Sequence, residues 1–210
     1  MSYILRIDAS PRHDDSHSRQ LADVIIQNLR LKHTSIDVKQ RDIYLNPIEH
    51  ISNDTINGFF SSPEQLTKDL LEATRLSDEL IAELKGAQII IISSPLYNFS
   101  IPSGLKAWID QIVRINQTFS YDETGFSGSV DVPEAYLALS YGAEGYAPGG
   151  ALASMNFLEP YLVSLLGFLG IKQTHTFRIE GTSGDAVTLS NNKQIITKLI
   201  KENIVGVKNS

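Results

Sequence analysis

The sequence has no cysteine among its 210 residues, which excludes disulfide bridges, thiol nucleophiles and thiolate metal sites. Basic charge is also scarce, because 18 Lys and Arg stand against 24 Asp and Glu, for a net charge of −6. That balance disfavours nucleic acids and anionic membrane surfaces as partners. No apolar run approaches the ~20 residues that a membrane helix needs. We therefore expect a soluble protein without a nucleic-acid or membrane partner.

The start of the chain lacks the basic segment and long apolar segment that characterise a secretory signal. We therefore expect a cytoplasmic location. The chain is 42% hydrophobic and long enough to bury one sizeable core. No linker, internal repeat or low-complexity segment interrupts it, so residues 1–210 are expected to form a single domain.

Predicted strands and helices alternate along the chain. Five segments have strand-like patterns of apolar and β-branched residues, at 3–8, 35–41, 88–92, 134–140 and 174–179. Helices are predicted at 18–32, 63–85, 104–113, 152–169 and 191–205. Residues 43–62 are predicted to be an irregular excursion, and residues 116–133 a second excursion with turns at Gly125, Gly128 and Pro133. Helical crossovers require parallel strands and right-handed connections. The predicted fold class is α/β: a flavodoxin-like three-layer sandwich with a five-stranded parallel sheet, order 2-1-3-4-5.

Ligands in such sheets bind at the carboxyl ends of the strands, where three notable loops should meet. The loop after strand one carries hydroxyls at Ser10, Ser16 and Ser18, next to the free N–H groups of a helix start. This combination favours a phosphate monoester. The same serines also fit an ordinary helix N-cap, which needs no ligand.

The nearby acidic and histidine side chains do not have the spacing of a tetrahedral metal site, so no metal is predicted. We interpret His13, Asp14, Asp15 and His17 as solvated loop charge on this criterion. Asp8 alone at the end of strand one also argues against a phospho-receiver, which needs an acidic pair there.

The second loop contains Pro95, Leu96, Tyr97, Asn98 and Phe99 directly after the most apolar strand. A flat aromatic ligand such as an isoalloxazine ring would suit its backbone groups and the Asn98 amide. The alternative is a closing turn whose aromatics merely pack.

The third loop, residues 140–146, contains two glycines that would let the backbone approach a ligand closely. A flexible loop would suit glycine equally well, and the pattern does not choose between these alternatives.

Several motifs in order resemble the FMN-dependent NADH-azoreductase family, also described as NADH:quinone oxidoreductases. The matching segments are Ser10 with Ser16-His17-Ser18 and Leu21, residues 76–81, Pro95-Leu96-Tyr97-Asn98-Phe99, residues 102–106, Thr118-Phe119 with Tyr121, residues 160–162 and residues 166–171. The resemblance covers essentially the whole chain.

The resemblance implies which residues bind FMN. Ser10, Ser16, His17 and Ser18 would hold the phosphate region, Pro95, Leu96, Tyr97, Asn98 and Phe99 the ring, and Ser140, Tyr141, Gly142 and Ala143 its other edge. It also implies a homodimer with the active site between subunits. Tyr121 and Tyr146 are candidate proton donors or substrate-stacking residues.

The implied activity is two-electron transfer from NADH or NADPH to quinones and aromatic azo compounds, by a ping-pong mechanism. The alternatives are a flavodoxin-like FMN electron carrier without substrate turnover, and a relative of the same fold that has lost flavin. Two segments depart from the family pattern. Ser140-Tyr141-Gly142-Ala143 replaces the usual Ser-Arg-Gly-Gly, and residues 131–133 replace Gly-Lys-Lys. These departures leave the nicotinamide preference and the substrate range open.

Overall fold

The computed structural model describes residues 3–206. The strands are β1 (Tyr3–Asp8), β2 (Asp37–Asp42), β3 (Ala87–Pro95), β4 (Phe119–Asp122), β5 (Gly125–Gly128), β6 (Glu134–Ser140) and β7 (Gln173–Ile179). The helices are α1 (His17–Lys32), α2 (Asn53–Phe60), α3 (Lys68–Gly86), α4 (Ser103–Ile112), α5 (Glu159–Leu169) and α6 (Ala186–Val205). None of the described helices is both long and apolar enough to span a bilayer.

The main sheet has five strands, all parallel, in the order β2-β1-β3-β6-β7. The sequence predicted five strands in the order 2-1-3-4-5. The strand numbers differ because β4 and β5 precede β6 in the chain and pair only with each other, as an antiparallel hairpin. Because the five strands of the main sheet are parallel, the loops that follow β1, β3, β6 and β7 all leave the same edge of this sheet.

Helices cover both faces of this sheet. On one face, α1 and α6 pack against strand residues such as Ile4, Ile91 and Phe177. On the other face, α3, α4 and α5 pack against Leu5 and Ile90, together with other inward-facing strand residues. Strands buried on both faces need apolar residues throughout, which explains the uninterrupted run in β3.

The excursion at 43–62 was wrongly predicted to be irregular throughout, because it contains α2. Ser52 caps this helix with a capping box: its hydroxyl accepts from the Thr55 N–H at 3.1 Å, and the Thr55 hydroxyl accepts from the Ser52 N–H at 3.2 Å. The glycine and asparagine content of the segment masked this local signal. The excursion at 116–133 likewise contains regular structure, the β4–β5 hairpin.

Three predicted helices have different beginnings in the structure. The helix predicted at 152–169 begins only at Glu159, since Pro160 suits a first turn and not a helix interior. The helix predicted at 191–205 begins earlier, at Ala186, because the Asp185 carboxylate accepts from two N–H groups of its first turn. The segment from residue 63 starts with a short 3₁₀ turn, and α3 follows from Lys68.

Candidate functional site

A cavity of about 200 Å³ lies at the carboxyl edge of the main sheet. Four loops contribute its lining residues: Ser10, Arg12, Asp15, Ser16, His17, Pro95, Leu96, Tyr97, Ser140, Gly142, Thr182 and Ser183. Pockets that enclose a small-molecule ligand are larger, typically ~300–1,000 Å³. This cavity can therefore enclose one end of a nucleotide-sized ligand, and the rest would lie on the open surface.

The loop after β1 supplies neutral hydrogen-bonding groups. Ser10 and Ser16 are almost fully buried in the cavity wall. Ser16 also caps α1, since its Oγ accepts from the Arg19 N–H at 3.4 Å. Among residues 3–206, the N–H groups of His17 and Ser18 donate to no protein acceptor. Unpaired donors at the start of a 16-residue helix favour an anion.

Ser18 plays a different part from Ser10 and Ser16. It is fully buried, its Oγ lies 3.2 Å from the Ser16 Oγ, and it does not line the cavity. Of the predicted serines, the structure therefore brings the hydroxyls of Ser10 and Ser16 to the cavity and places that of Ser18 behind them.

A buried ion network lies directly behind this loop. The Arg19 guanidinium binds the Asp42 carboxylate and donates to the Ser10 carbonyl at 2.7 Å. Asp8, which is fully buried, accepts from three donors: Arg6 at 3.0 Å, Gln40 at 2.6 Å and Ser93 at 2.6 Å. Burial alone would raise the pKa of Asp42, but hydrogen bonds from Arg19 and from two backbone N–H groups outweigh burial and lower it. Asp42 therefore stays ionised, and the network fixes the position of the loop.

His17 lines the cavity from the first turn of α1. Its ring is half-buried, and its Nδ1 atom is buried without a hydrogen-bond partner among the described residues. Burial lowers the pKa of His17, and the positive charges of Lys193 and Arg12 lower it further. The imidazole is therefore neutral at pH 7, and it lies between this cavity and a second depression that Gln20 and Lys193 line.

The loop after β3 makes a tight two-residue turn. Tyr97 and Ser100 exchange two backbone hydrogen bonds of 3.0 Å, and the central residues Asn98 and Phe99 have φ values of 48° and 70°. Positive φ at both central residues characterises a type I′ turn. Asparagine adopts this conformation readily, whereas for phenylalanine it is strained. Such strain is concentrated at functional sites.

This turn leaves some backbone donors free and uses others. The Leu96 N–H donates to the Ser140 carbonyl at 2.8 Å, and the Tyr97 N–H closes the turn. Within the described part of the chain, the N–H groups of Asn98 and Phe99 have no protein acceptor. The side chains of Tyr97, Asn98 and Phe99 are exposed. Of the backbone N–H groups of residues 96–99, only those of Asn98 and Phe99 are therefore available to bind a ligand, beside the exposed rings of Tyr97 and Phe99.

The loop after β6 brings only part of its predicted set to the cavity. Ser140 and Gly142 line it, and a Cβ on Gly142 would lie 3.1 Å from the Ser183 Oγ. Ala143 is exposed and borders a neighbouring depression instead. Glycine at 142 thus allows the loops after β6 and β7 to pack closely.

Tyr141 lies in the core and not in the cavity wall. Its side chain is fully buried, its ring stacks on Tyr146 with centroids 5.3 Å apart, and its hydroxyl accepts from Asn156 at 3.3 Å. Its N–H donates to the Ile179 carbonyl at 2.9 Å. Burial raises the pKa of the Tyr141 phenol, so this hydroxyl stays protonated. The structure assigns Tyr141 a packing role.

The loop after β7 was absent from the predicted site. Thr182 donates to the Tyr141 carbonyl through both its N–H and its hydroxyl, each at 3.0 Å, and the Ser183 N–H donates to the Gly142 carbonyl at 3.0 Å. Both residues line the cavity. The hydroxyl-rich segment Gly181–Gly184 directly after the last strand was the signal that could have revealed this wall.

The two candidate tyrosine donors lie outside the cavity wall. Tyr121 is 63% exposed on β4, with its ring centroid 4.7 Å from that of Phe126. Tyr146 is buried against Tyr141. Of the two, only Tyr121 presents an aromatic ring to the surface, together with Phe126, which is 66% exposed.

The donor set of the cavity fits a phosphate-bearing ligand. The hydroxyl residues Ser10 and Ser16 and the side chain of His17 line it, and the two free N–H groups lie at the adjoining start of α1. These groups are the type of neutral donors that bind phosphate at helix N-termini. Within residues 3–206 no group of three or more His, Cys, Asp or Glu side chains could hold a metal ion.

The chain matches the flavodoxin-like fold family over residues 2–201. It is 45% identical to the FMN-dependent NADH:quinone oxidoreductase of Xanthobacter autotrophicus over 172 residues, which are 82% of this chain and 83% of that protein. The chain belongs to the family of FMN-dependent NADH:quinone oxidoreductases. A second member, from Nostoc punctiforme, is 41% identical over 191 residues, 90% of this chain and 93% of that protein. The resemblance predicted from the motifs is confirmed.

Solved structures of other proteins have the same fold as this chain. An azoreductase from Bacillus anthracis superposes with a TM-score of 0.84 and 23% identity, covering 96% of this chain and all of that one. An FMN-dependent NADH-azoreductase from B. anthracis, solved in complex with FMN, has a TM-score of 0.83 and 24% identity, covering 97% of this chain and all of that one. At sequence identities of 23% and 24%, these two structures show that the fold is shared and no more.

Proposed function

We propose that this protein is an FMN-dependent oxidoreductase that transfers two electrons from NADH to quinones. The observation that carries the proposal is the phosphate-type cavity at the strand ends of a chain 45% identical to a named NADH:quinone oxidoreductase. FMN, when bound, supplies two-electron redox chemistry between a nicotinamide and a quinone. The protein's own residues would bind the FMN, orient it and shield it from water.

The cavity would hold the phosphate end of FMN. Ser10 and Ser16 would donate hydroxyl hydrogen bonds, the N–H groups of His17 and Ser18 would donate from the helix start, and Arg12 would add positive charge at the rim. The loops after β6 and β7 would close the opposite wall through Ser140, Gly142, Thr182 and Ser183. The ion network behind the loop holds these donors in place before the ligand arrives.

The turn after β3 would bind the ring. Its free N–H groups at Asn98 and Phe99 can donate to acceptor atoms on the ring edge, where they would stabilise developing negative charge. Pro95, Leu96 and Tyr97 would pack beside the ring. The type I′ turn fixes the direction of these donors.

We propose a ping-pong order of reaction, in which the nicotinamide and the quinone use the same exposed region beside the turn after β3 in succession. The nicotinamide product would leave before the quinone arrives. Initial-rate measurements at several fixed NADH concentrations test this order: parallel double-reciprocal lines support it, and lines that intersect contradict it.

The substrate range is proposed to include aromatic azo compounds, in keeping with the azoreductases that share the fold. NADPH is the alternative electron donor, and one relative is named an NAD(P)H:quinone oxidoreductase. Comparing kcat/KM for both nicotinamides, with a benzoquinone and with an azo dye as acceptors, decides both points.

We propose that the protein works as a homodimer with its active sites between the subunits. A contiguous group of exposed aromatic side chains supports this arrangement, since such apolar patches mark interaction surfaces. Tyr121 and Phe126, both more than 60% exposed, have ring centroids 4.7 Å apart. Sedimentation should give a mass of about twice 23.2 kDa; a monomer that turns over quinone at the full rate would contradict the proposal.

Residues 1–210 are proposed to form one domain, because both core clusters pack on the same sheet. The cytoplasmic location stays a prediction from the sequence.

A direct test of the proposed function uses the purified protein loaded with FMN. We expect NADH-dependent reduction of a benzoquinone that disappears when FMN is stripped and returns when it is added back. FMN binding without any quinone turnover would instead support an electron carrier, and failure to bind FMN would support a relative that has lost flavin.

A further inference from the structure

The His17 side chain lines the cavity, and its Nδ1 atom is buried without a hydrogen-bond partner among the described residues. The lining at this end also includes serine hydroxyls, the Arg12 guanidinium and the Asp15 carboxylate, but among these side-chain types only an imidazole ordinarily changes its charge between about pH 5 and pH 8. A half-buried imidazole beside a phosphate can respond to the ligand's charge in a way that these groups cannot.

We infer that His17 takes up a proton when FMN binds and thereby distinguishes FMN from riboflavin, which lacks the phosphate. The proton comes from solvent and is held on the imidazole, which then becomes a cation next to the phosphate. This inference rests on the proposed function, because it assumes that the cavity holds the phosphate end of FMN.

The charges around His17 explain why the proton is absent before binding. Burial lowers the pKa of His17, Lys193 on α6 and Arg12 in the loop after β1 lower it further, and Asp15 and Gln20 only partly oppose them. The free protein therefore keeps the ring neutral. A phosphate of nearly two negative charges would reverse the local balance and raise the pKa.

The direction of the pH effect follows from this rise. Between the His17 pKa of the free protein and that of the complex, binding takes up a proton, so FMN affinity increases as the pH falls. Each pH unit within this interval can change the affinity by at most about tenfold for one proton. Below about pH 6 the phosphate itself becomes protonated, and the gain ends.

The experiment measures the dissociation constants of FMN and of riboflavin by flavin fluorescence, using the flavin-free full-length protein at several pH values from about 8 to about 6.5. We expect the wild-type protein to bind FMN about three- to tenfold more tightly at the lower pH, with riboflavin binding unchanged. In His17→Gln the ratio of the two affinities should not depend on pH.

A matched variant controls for the substitution itself. His50→Gln makes the same change at an exposed histidine that lies outside the cavity lining, so its pH dependence should follow the wild type. Calorimetry in two buffers of different ionisation enthalpy counts the proton, and imidazole NMR signals should show the His17 pKa rising on FMN binding.

The outcomes separate this inference from the proposed function. An FMN-to-riboflavin affinity ratio with the same pH dependence in the wild type and in His17→Gln overturns the inference, while tight FMN binding still supports the function. A protein that binds neither flavin overturns both.

Discussion

The two ends of the candidate flavin site are built in opposite ways. The phosphate end is enclosed and polar, and its loop is held by a buried network around Arg19 and Asp8. The ring end is an exposed turn with strained backbone at Phe99, whose carbonyl accepts from the Phe157 N–H at 2.9 Å. The proposed phosphate end is therefore preformed by buried polar contacts, whereas the proposed ring end lies at the surface.

The largest expected effect comes from Arg19→Ala, which tests the rigid phosphate end. It removes the guanidinium that pairs with Asp42 and supports the Ser10 carbonyl, and so leaves a buried carboxylate unpaired. We expect the free energy of unfolding to fall by about 3–5 kcal/mol and FMN binding to weaken, both measurable by urea titration with and without FMN. Arg30→Ala, at an exposed position of the same helix, should change stability little. Equal effects of the two changes would show that the network does not support the loop.

Gly128→Ala tests the substrate side, because it disturbs the β4–β5 hairpin, which carries the candidate substrate-stacking residue Tyr121, where the hairpin meets the end of α5. An added Cβ would lie 2.2 Å from the Leu169 carbonyl carbon and 2.3 Å from the Gly170 nitrogen, both backbone atoms. We expect a loss of about 1–3 kcal/mol in stability and a lower kcat/KM for quinones, with FMN affinity nearly unchanged. Gly167→Ala, which has no neighbour within 4 Å, is the control. A parallel loss of FMN affinity in Gly128→Ala would contradict the separation of the two ends.

A pair of variants at Phe99 measures the strain in the turn. Both Phe99→Val and Phe99→Gly remove the aromatic ring, but only valine is β-branched and poorly tolerated at a φ of 70°. The valine variant should be less stable than the glycine variant by about 1–2 kcal/mol and should bind FMN less tightly. Thermal unfolding of the two proteins without flavin checks the first point. Equal stability would show that the turn relaxes at no cost.

The smallest effect is expected for Tyr141→Phe, which tests whether this residue belongs to the site or to the core. It removes only the hydroxyl that accepts from Asn156, so stability should fall by about 0.5–1.5 kcal/mol and FMN affinity should change less than twofold. A tenfold loss of FMN affinity, measured by fluorescence titration, would show that the hydroxyl contacts the cofactor.

The anchoring end could be predicted from sequence better than the open end. Loops at the ends of parallel strands must meet at one edge, so the positions of Ser10, Ser16 and Pro95 followed from the strand pattern alone. Burial of the Tyr141 side chain could not be predicted, because it depends on how the loop folds back to stack Tyr141 on Tyr146 and on a hydrogen bond from Asn156, further along the chain. Helix α2 and the β4–β5 hairpin could not be predicted for a similar reason. Their formation depends on a helix cap and on cross-strand pairing within polar segments.

The wall after β7 was missed for another physical reason. Thr182 and Ser183 reach the cavity through backbone hydrogen bonds to the loop after β6. Such contacts join two loops that are far apart in the chain, and hydroxyl residues at a strand end do not by themselves specify a partner. The ion network was hidden similarly, since Arg19 and Asp42 lie on different elements.

Anaerobic rapid mixing tests the central claim most directly. The FMN-loaded protein is mixed first with NADH and then, after the nicotinamide is removed, with a benzoquinone, while the flavin absorbance is followed. We expect NADH to bleach the flavin band and the quinone to restore it, both at rates that support the measured kcat. Flavin that keeps its oxidised spectrum with NADH and with NADPH would contradict the assignment as a quinone oxidoreductase.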